Sequence, residues 1–232
     1  MSRILYPLYA IVYIFLLLWS IKIWQKQRSI GLFLLVCNII GLFYENLALS
    51  IGIFVGESTA LYQINFLRFI LHGIAVPLLI FVCYEFARHA GYSWANTAPM
   101  RWVAAGMSLL VIALGMWNRL GSMQLEHIFV DGIHRYTDAG VSGPPIATIF
   151  SVLFVGIIGY LLWRHHNWQW LWWSALSVFL TQAIPVQSAR WLIGAVAEIL
   201  FTVALIKTAL WVNDAFPAKN TASATPPNML TQ

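Results

Sequence analysis

Apolar runs of about 20 residues recur along this chain, and they constrain its fold more than any other feature, because a membrane-crossing helix needs about that length. Only 9% of the 232 residues are charged and 60% are hydrophobic. A soluble globular domain of ordinary composition carries far more charge. The sequence therefore predicts an all-α integral membrane protein, a bundle of seven transmembrane helices. The predicted spans are residues 4–24, 30–55, 60–87, 100–117, 146–164, 169–187 and 190–213.

The Lys and Arg residues outside the spans predict how the bundle is oriented. Most of them fall on one side, and because cytoplasmic loops are enriched in Lys and Arg, this side is assigned to the cytoplasm. The N-terminus is therefore expected outside and the C-terminus in the cytoplasm. The smaller set, assigned to the outer side, consists of Arg3, Arg119, Arg135 and Arg190. The net charge of +5 is in this interpretation a topology signal, and no nucleic-acid partner is predicted.

The spans define a transmembrane domain, residues 1–214, followed by a polar tail, residues 215–232, that is expected to be disordered and cytoplasmic. The one long connection, residues 118–145, is predicted on the outer side, where it either caps an outward opening as a lid or rests on the bilayer surface. The sequence predicts a multi-pass protein of a bacterial inner membrane or an ER-type membrane, surrounded by membrane lipids. It indicates no oligomeric state.

Three ionisable side chains lie inside the apolar runs at a similar predicted depth. With a rise of about 1.5 Å per residue, Glu45 lies about 15 Å and Arg68 about 12 Å from the outer ends of their spans, and Glu198 lies nearly as deep. A charged group in hydrocarbon costs a few kcal/mol or more, so it is retained where it is paired, hydrated or functional. These residues therefore predict a polar pocket between helices 2, 3 and 7.

Further polar residues are expected at the same depth. Asn65 precedes Arg68 by three residues and His72 follows it by four, so all three share one face of a helix. Asn46 and Gln182 lie at similar depths in their own spans. No two His residues have i,i+3 or i,i+4 spacing inside a span, so the sequence predicts neither a metal site nor a cofactor.

The pocket has two interpretations. Arg68 could form a structural ion pair with one glutamate and fix the packing of two helices. Alternatively, two acids against one base leave one carboxyl unpaired, and desolvation favours its neutral form. A neutral carboxylic acid beside an ionised partner supplies a proton donor and an acceptor.

Aromatic residues next to the polar positions are expected either to pack the helices or to line the pocket. The residues concerned are Tyr44, Phe66, Phe69 and Trp191. If they line the pocket, their ring faces would suit a cationic intermediate.

Helix 3 resembles the third helix of microbial rhodopsins. Residues 68–79 read RFILHGIAVPLL, and in that family Arg-Tyr precedes Pro-Leu-Leu at the same spacing. The chain length and the seven predicted spans are also similar. Leu71 stands where those proteins carry the carboxylate counterion, and Thr202, four residues after Glu198, stands where they carry the retinal lysine. The resemblance implies a rhodopsin-like bundle without a retinal Schiff base.

A second resemblance concerns chemistry. The pair Cys37-Asn38 precedes Glu45 in helix 2, and Glu198 lies in helix 7. This pattern is similar to that of the small seven-span terpene cyclases of meroterpenoid pathways, which place one acid after a Cys-Asn pair in helix two and a second acid in helix seven. The resemblance implies protonation of an epoxide or alkene, ring closure of the polyene, and removal of a proton.

The leading hypothesis is therefore a membrane-embedded isoprenoid cyclase that acts on a lipid-soluble polyene or its epoxide, with Glu45 and Glu198 as catalytic residues. The alternatives are a small proton-coupled transporter and a retinal-free sensory or scaffold protein with a rhodopsin fold. The residues expected to bind the isoprenoid substrate are Arg68, His72, Asn46, Asn65, Tyr44, Phe69, Gln182 and Trp191.

Overall fold

The computed structural model of the chain describes residues 2–140, 145–182 and 187–216. Most of these residues are helical. The helices are α1 (Ser2–Gln27), α2 (Ile30–Ile51), α3 (Thr59–His89), α4 (Ala98–Ser122), α5 (Ile146–His166), α6 (Trp170–Gln182) and α7 (Gln187–Ala215), with a short 3-10 helix, Ser93–Asn96, before α4.

Six helices are long and apolar enough to cross a membrane, as expected of a multi-pass membrane protein. They are α1 to α5 and α7. The sixth predicted span corresponds to α6, which has 13 described residues and is shorter than a span. Helix α2 ends at Ile51, before the predicted limit at residue 55, and α4 continues past residue 117 to Ser122.

Serine residues define the first turns of α2 and α3. Ser29 Oγ accepts a hydrogen bond from the backbone N–H of Leu32 (3.1 Å), and Ser58 Oγ accepts one from Leu61 (3.2 Å). A serine at the N-cap satisfies a backbone donor that has no partner within the helix. At the other end of the bundle, α5 ends at His166 because Asn167 takes a left-handed conformation, with φ of 56°.

The helices form a ring around an apolar core. Helix α1 packs against α2 and α7, and the ring continues from α2 through α3, α5 and α6 to α7, while α4 lies outside against α3 and α5. Gly41 lets α2 approach α3, because a Cβ at this position would lie 2.8 Å from the Cβ of Ala75. In the same contact Asn38 Nδ2 donates to the carbonyl of Ala75 (2.9 Å). Small residues and interhelical hydrogen bonds are the usual means of holding membrane helices together.

A β-hairpin within residues 118–145 adds an element that the sequence did not predict to an otherwise mostly helical chain. Strand β1 (Leu125–Val130) pairs with strand β2 (Ile133–Asp138) in antiparallel register. The turn is Asp131-Gly132, with φ of 53° and 82°. Asp-Gly is a strong signal for a two-residue hairpin turn with positive φ at both positions. The sequence thus contained the hairpin signal, which the helical reading of the chain overlooked.

The hairpin lies across one end of the bundle, called the hairpin end below. Its backbone is fixed by hydrogen bonds from the N–H of His134 to the carbonyl of Gly52 (2.9 Å) and from Arg3 Nε to the carbonyl of Gly132 (2.8 Å). Ile133 and Tyr136 of β2 are buried against the helices. The connection therefore covers the ends of α1, α2 and α3, as a cap does.

Candidate functional site

The site begins with a contact between α2 and α3. Glu45 Oε2 lies 2.6 Å from Nδ1 of His72, a short hydrogen bond, and Glu45 Oε1 lies 3.9 Å from Nη1 of Arg68. Arg68 and His72 are one helical turn apart, so both face the same glutamate. The structure therefore brings three of the sequence-predicted residues together across two helices.

Glu45 is closer to the end of its helix than the sequence predicts. Because α2 ends at Ile51, the Cα of Glu45 lies about 9 Å along the axis from the helix end rather than about 15 Å. Arg68 compensates by extending toward the hairpin end, where its Nη2 donates to the carbonyl of Tyr136 (3.0 Å). The side chains of Glu45, Arg68 and His72 therefore meet because of the directions in which they extend, as well as because of their positions along the helices.

Arg68 is nearly fully buried, with 4% of its surface exposed, and most of its donors are not used. A guanidinium carries five N–H groups. Within the described residues, its one hydrogen bond is to Tyr136, and its buried Nε has no partner. The guanidinium also lies 4.4 Å from the ring centre of Phe69. Arg68 thus has unused hydrogen-bonding capacity inside the protein.

Two more arginines, Arg119 and Arg135, belong to this cluster. Both were expected on the outer side of the membrane. Arg119 of α4 donates from Nη1 to the carbonyl of Phe69 (2.7 Å), and its guanidinium lies 5.4 Å from the same ring centre. Arg135 of β2 interacts electrostatically with the hydroxyl of Tyr6 and with Glu45. Burial lowers the pKa of the Arg135 guanidinium, and the nearby Tyr6 and Glu45 oppose that effect.

The cluster therefore contains more basic side chains relative to acidic ones than the sequence predicts. The sequence predicts two acids against one base, whereas Glu45 interacts electrostatically with Arg68, Arg119 and Arg135. The second acid near the arginines is Asp138 of β2, which interacts with Arg119. The positions of Arg119 and Arg135 depend on how α4 and the hairpin fold back, which local sequence does not reveal.

Glu198 of α7 lies on the far side of the same cluster. It interacts electrostatically with Glu45 and His72, and its side chain is partly exposed. In the described part of the chain, its carboxyl makes no hydrogen bond and no ion pair. Its backbone carbonyl accepts a hydrogen bond from Thr202 Oγ1 (2.8 Å). The two glutamates therefore differ, because Glu45 contacts His72 and Arg68 directly whereas the carboxyl of Glu198 makes no ion pair within the described residues.

The predicted amide residues serve mainly to hold the structure. The side-chain amides of Asn46 and Asn65 donate to carbonyls one turn earlier in their own helices, at 2.9 Å each. Asn65 Oδ1 also accepts from the backbone N–H of Tyr136 at 3.4 Å, so it attaches the hairpin to α3. Both side chains are therefore hydrogen-bonded to the backbone of the protein.

The predicted aromatic residues are likewise engaged with the protein. Tyr44 donates its hydroxyl proton to the carbonyl of Ile64 (3.2 Å), which links α2 to α3. The Phe69 ring contacts the guanidinium groups of Arg68 and Arg119. The ring face expected to stabilise a cationic intermediate is therefore occupied by protein cations. The side chains of Gln182 and Trp191 lie outside the described residues.

A second ionic cluster, which the sequence analysis missed, lies at the opposite end of α3. Glu85 is 4% exposed and accepts two hydrogen bonds from Arg88, from Nε at 3.2 Å and from Nη2 at 2.9 Å. His89 Nδ1 hydrogen-bonds the carbonyl of Glu85 at 2.8 Å. The position near the helix end made these residues look like ordinary interfacial charges.

No group of three His, Cys, Asp or Glu side chains within residues 2–140, 145–182 and 187–216 is arranged to hold a metal ion. Asn38, part of the Cys-Asn pair of the second resemblance, links α2 to α3, and Thr202, at the position of the retinal lysine in the first, bonds within α7. No protein-family model matches the chain, and no curated protein matches it.

Proposed function

We propose that the protein is a membrane-embedded proton-transfer enzyme, and that its reaction is the acid-initiated cyclisation of a lipid-soluble polyene or its epoxide. The observation that carries the proposal is the difference between the two glutamates. Glu45 is held by His72 and Arg68, which favours its ionised form, whereas the carboxyl of Glu198 makes no ion pair and no hydrogen bond within the described residues. One neutral and one ionised carboxyl are the pair that acid and base catalysis needs.

Glu198 is the general acid in this proposal. Its carboxyl donates a proton to an alkene carbon or to the epoxide oxygen, and the resulting cation is attacked by the next double bond, which closes a ring. The Glu45–His72 pair removes a proton from a neighbouring carbon, and a new double bond forms from that C–H bond. Proton transfer back to Glu198 completes the cycle, so substrate and product are isomers and no oxidant or leaving group is required.

The membrane location suits this chemistry. A polyene dissolves in the bilayer, and the apolar surroundings of the bundle exclude the water that would trap a cation as an alcohol. In the full proposal the chain crosses the membrane seven times, the hairpin end faces outward and the C-terminus is cytoplasmic. The distribution of Lys and Arg supports this orientation.

The test is turnover of a polyene by the purified full chain in neutral detergent, assayed in D2O. Protonation of an alkene by the enzyme introduces one deuterium into the cyclised product, which mass spectrometry detects. We expect Glu198→Gln to lower turnover by about a hundredfold or more, the usual loss when a general acid is removed. Glu85→Gln, which changes a buried carboxyl at the opposite end, serves as the matched control and should retain turnover.

Two outcomes would overturn the proposal. One is full turnover by Glu198→Gln, since the acid would then lie elsewhere. The other is a folded wild-type protein that yields neither a deuterium-labelled cyclic product from any polyene of a prenyl chain-length series nor a cyclic alcohol from the corresponding epoxides, whose protonated oxygen keeps no deuterium after work-up.

A further inference from the structure

We infer that the three arginines at the hairpin end, Arg68, Arg119 and Arg135, form a subsite for a compact anionic group, a phosphate or a carboxylate. The subsite lies beside the two glutamates, between α3, α4 and β2. The subsite would bind an anionic head group on the lipid substrate of the proposed function, and in that respect the inference rests on the proposed function. The binding itself can be measured without any turnover.

The first argument is the unused hydrogen-bonding capacity of Arg68. The residue is 4% exposed, its Nε is buried without a partner, and its one hydrogen bond in the described structure goes to Tyr136. The contact with Glu45 is an ion pair at 3.9 Å, beyond hydrogen-bond distance. A buried donor without an acceptor is costly. An anion with several oxygen atoms would supply acceptors where the protein supplies none.

The second argument is the balance of charge. Three guanidinium groups converge on the region around Phe69 and the hairpin, and the carboxylates that face them are Glu45 and Asp138. Asp138 is partly committed elsewhere, because its Oδ1 accepts from the backbone N–H groups of Gln124 and Gly140, both at 3.1 Å. The three guanidinium groups therefore outnumber the two carboxylates that face them.

The third argument is the type of cation. Arginine presents a planar fork of donors that matches the oxygens of phosphate and carboxylate groups. The three arginines come from three different elements, α3, α4 and β2, so only the folded chain brings them together. Three such forks suit a ligand group that carries several acceptor oxygens better than they suit single carboxylates.

The experiment measures binding of farnesyl phosphate, farnesol and inorganic phosphate to the purified full chain in a neutral detergent. We expect farnesyl phosphate to bind at least roughly tenfold more tightly than farnesol, since a hydrogen bond to a charged group contributes about that much. If inorganic phosphate displaces farnesyl phosphate at equal concentration, the site takes a free anion. If only the prenyl phosphate binds, the anion is a lipid head group. Both results support an anion subsite.

Variants connect the binding to the cluster. Arg119→Gln and Arg135→Gln should each weaken binding of farnesyl phosphate by roughly tenfold and leave that of farnesol unchanged. The matched control is Arg3→Gln, because Arg3 also bonds the hairpin, through the carbonyl of Gly132, but is absent from the cluster. It should bind farnesyl phosphate as the wild type does.

The inference is overturned if wild-type protein binds farnesol as tightly as farnesyl phosphate. It is also overturned if Arg3→Gln weakens binding as much as Arg135→Gln, since the effect would then reflect the hairpin and not the arginine cluster. The proposed cyclase fails on a different readout, the deuterium-labelled product. If the protein binds prenyl phosphate but does not cyclise polyenes, the anion subsite stands and the proposed cyclase activity is refuted.

Discussion

The two ends of α3 carry the same three residue types in different arrangements. At the hairpin end, Arg68 and His72 face Glu45 from another helix, whereas at the opposite end Glu85, Arg88 and His89 all belong to α3. The local cluster satisfies itself, because Arg88 donates two hydrogen bonds to the buried carboxylate. The cluster at the hairpin end leaves a buried donor of Arg68 without a partner.

This difference separates a structural ion pair from a site with capacity for a ligand. A local pair with i,i+3 spacing forms whenever the helix forms, so it costs little to arrange. A cluster assembled from α2, α3, α4, α7 and a hairpin must be held by the whole fold, and unpaired polar groups inside it are retained against a cost. Such groups are the ones that a substrate can satisfy.

The largest expected difference between the two clusters is in the turnover of polyene by variants of Glu45 and Glu85. Glu45→Gln removes the carboxylate that accepts a proton in the proposed reaction, and we expect turnover to fall by about a hundredfold or more. Glu85→Gln should turn over polyene at nearly the wild-type rate. The measurement is the yield of deuterium-labelled cyclised product. Equal losses in the two variants would show that the clusters do not differ in function.

In stability the order is reversed, and Glu85→Gln should lose more unfolding free energy than Glu45→Gln. The Glu85 side chain is 5% exposed against 24% for Glu45, so its carboxylate depends more on its protein partners. We expect Glu85→Gln to lower the free energy of unfolding by about 1–2 kcal/mol, and Glu45→Gln to lower it by less. Denaturant unfolding in detergent measures both. A larger loss in Glu45→Gln would contradict the comparison.

The most local effect concerns the backbone of the hairpin turn. Gly132, with φ of 82°, forms the hairpin turn, and a Cβ there would also meet the guanidinium of Arg3. Gly132→Ala should destabilise the docked hairpin by about 1–2 kcal/mol, which raises amide hydrogen exchange across β1 and β2 by roughly tenfold.

The matched control is Gly91→Ala, because Gly91 has φ of 85° in open space next to the opposite cluster. It carries the same backbone cost and should leave exchange of the hairpin unchanged. Slow exchange in the Gly132→Ala hairpin would mean that contacts with α2 and α3 hold the cap without its turn.

The sequence predicts the helices well because apolar runs of membrane length have few alternative structures. It also predicts that Arg68 and His72 act together, since i,i+4 spacing places them on one helix face. It fails where a residue acquires its environment from distant parts of the chain. Arg119 and Arg135 were predicted on the outer side without a partner, and the packing of α4 and the folding of the hairpin bring them to Glu45.

Two other misses have local causes. The hairpin could have been found from Asp131-Gly132 flanked by strand-forming residues, but a search for membrane helices assigns such a segment to a loop. Glu85 was overlooked because its nearness to the end of α3 suggests contact with water, whereas Gly31 of α2 packs directly against its side chain. Depth along a helix is therefore a poor guide to burial once neighbouring helices are in place.

The attachment of the hairpin to α1 also bears on the order of folding. Ser2 Oγ donates to Asp131 Oδ2 (3.2 Å) and Arg3 bonds the neighbouring Gly132, contacts between residues 129 positions apart. Closing so long a loop carries a large entropic cost, whereas α1 and α2, or α2 and α3, can pair as soon as both are inserted. We therefore expect the cap to dock after these helix pairs have formed, so that the arginines converge late and a partly assembled bundle stays open at this end.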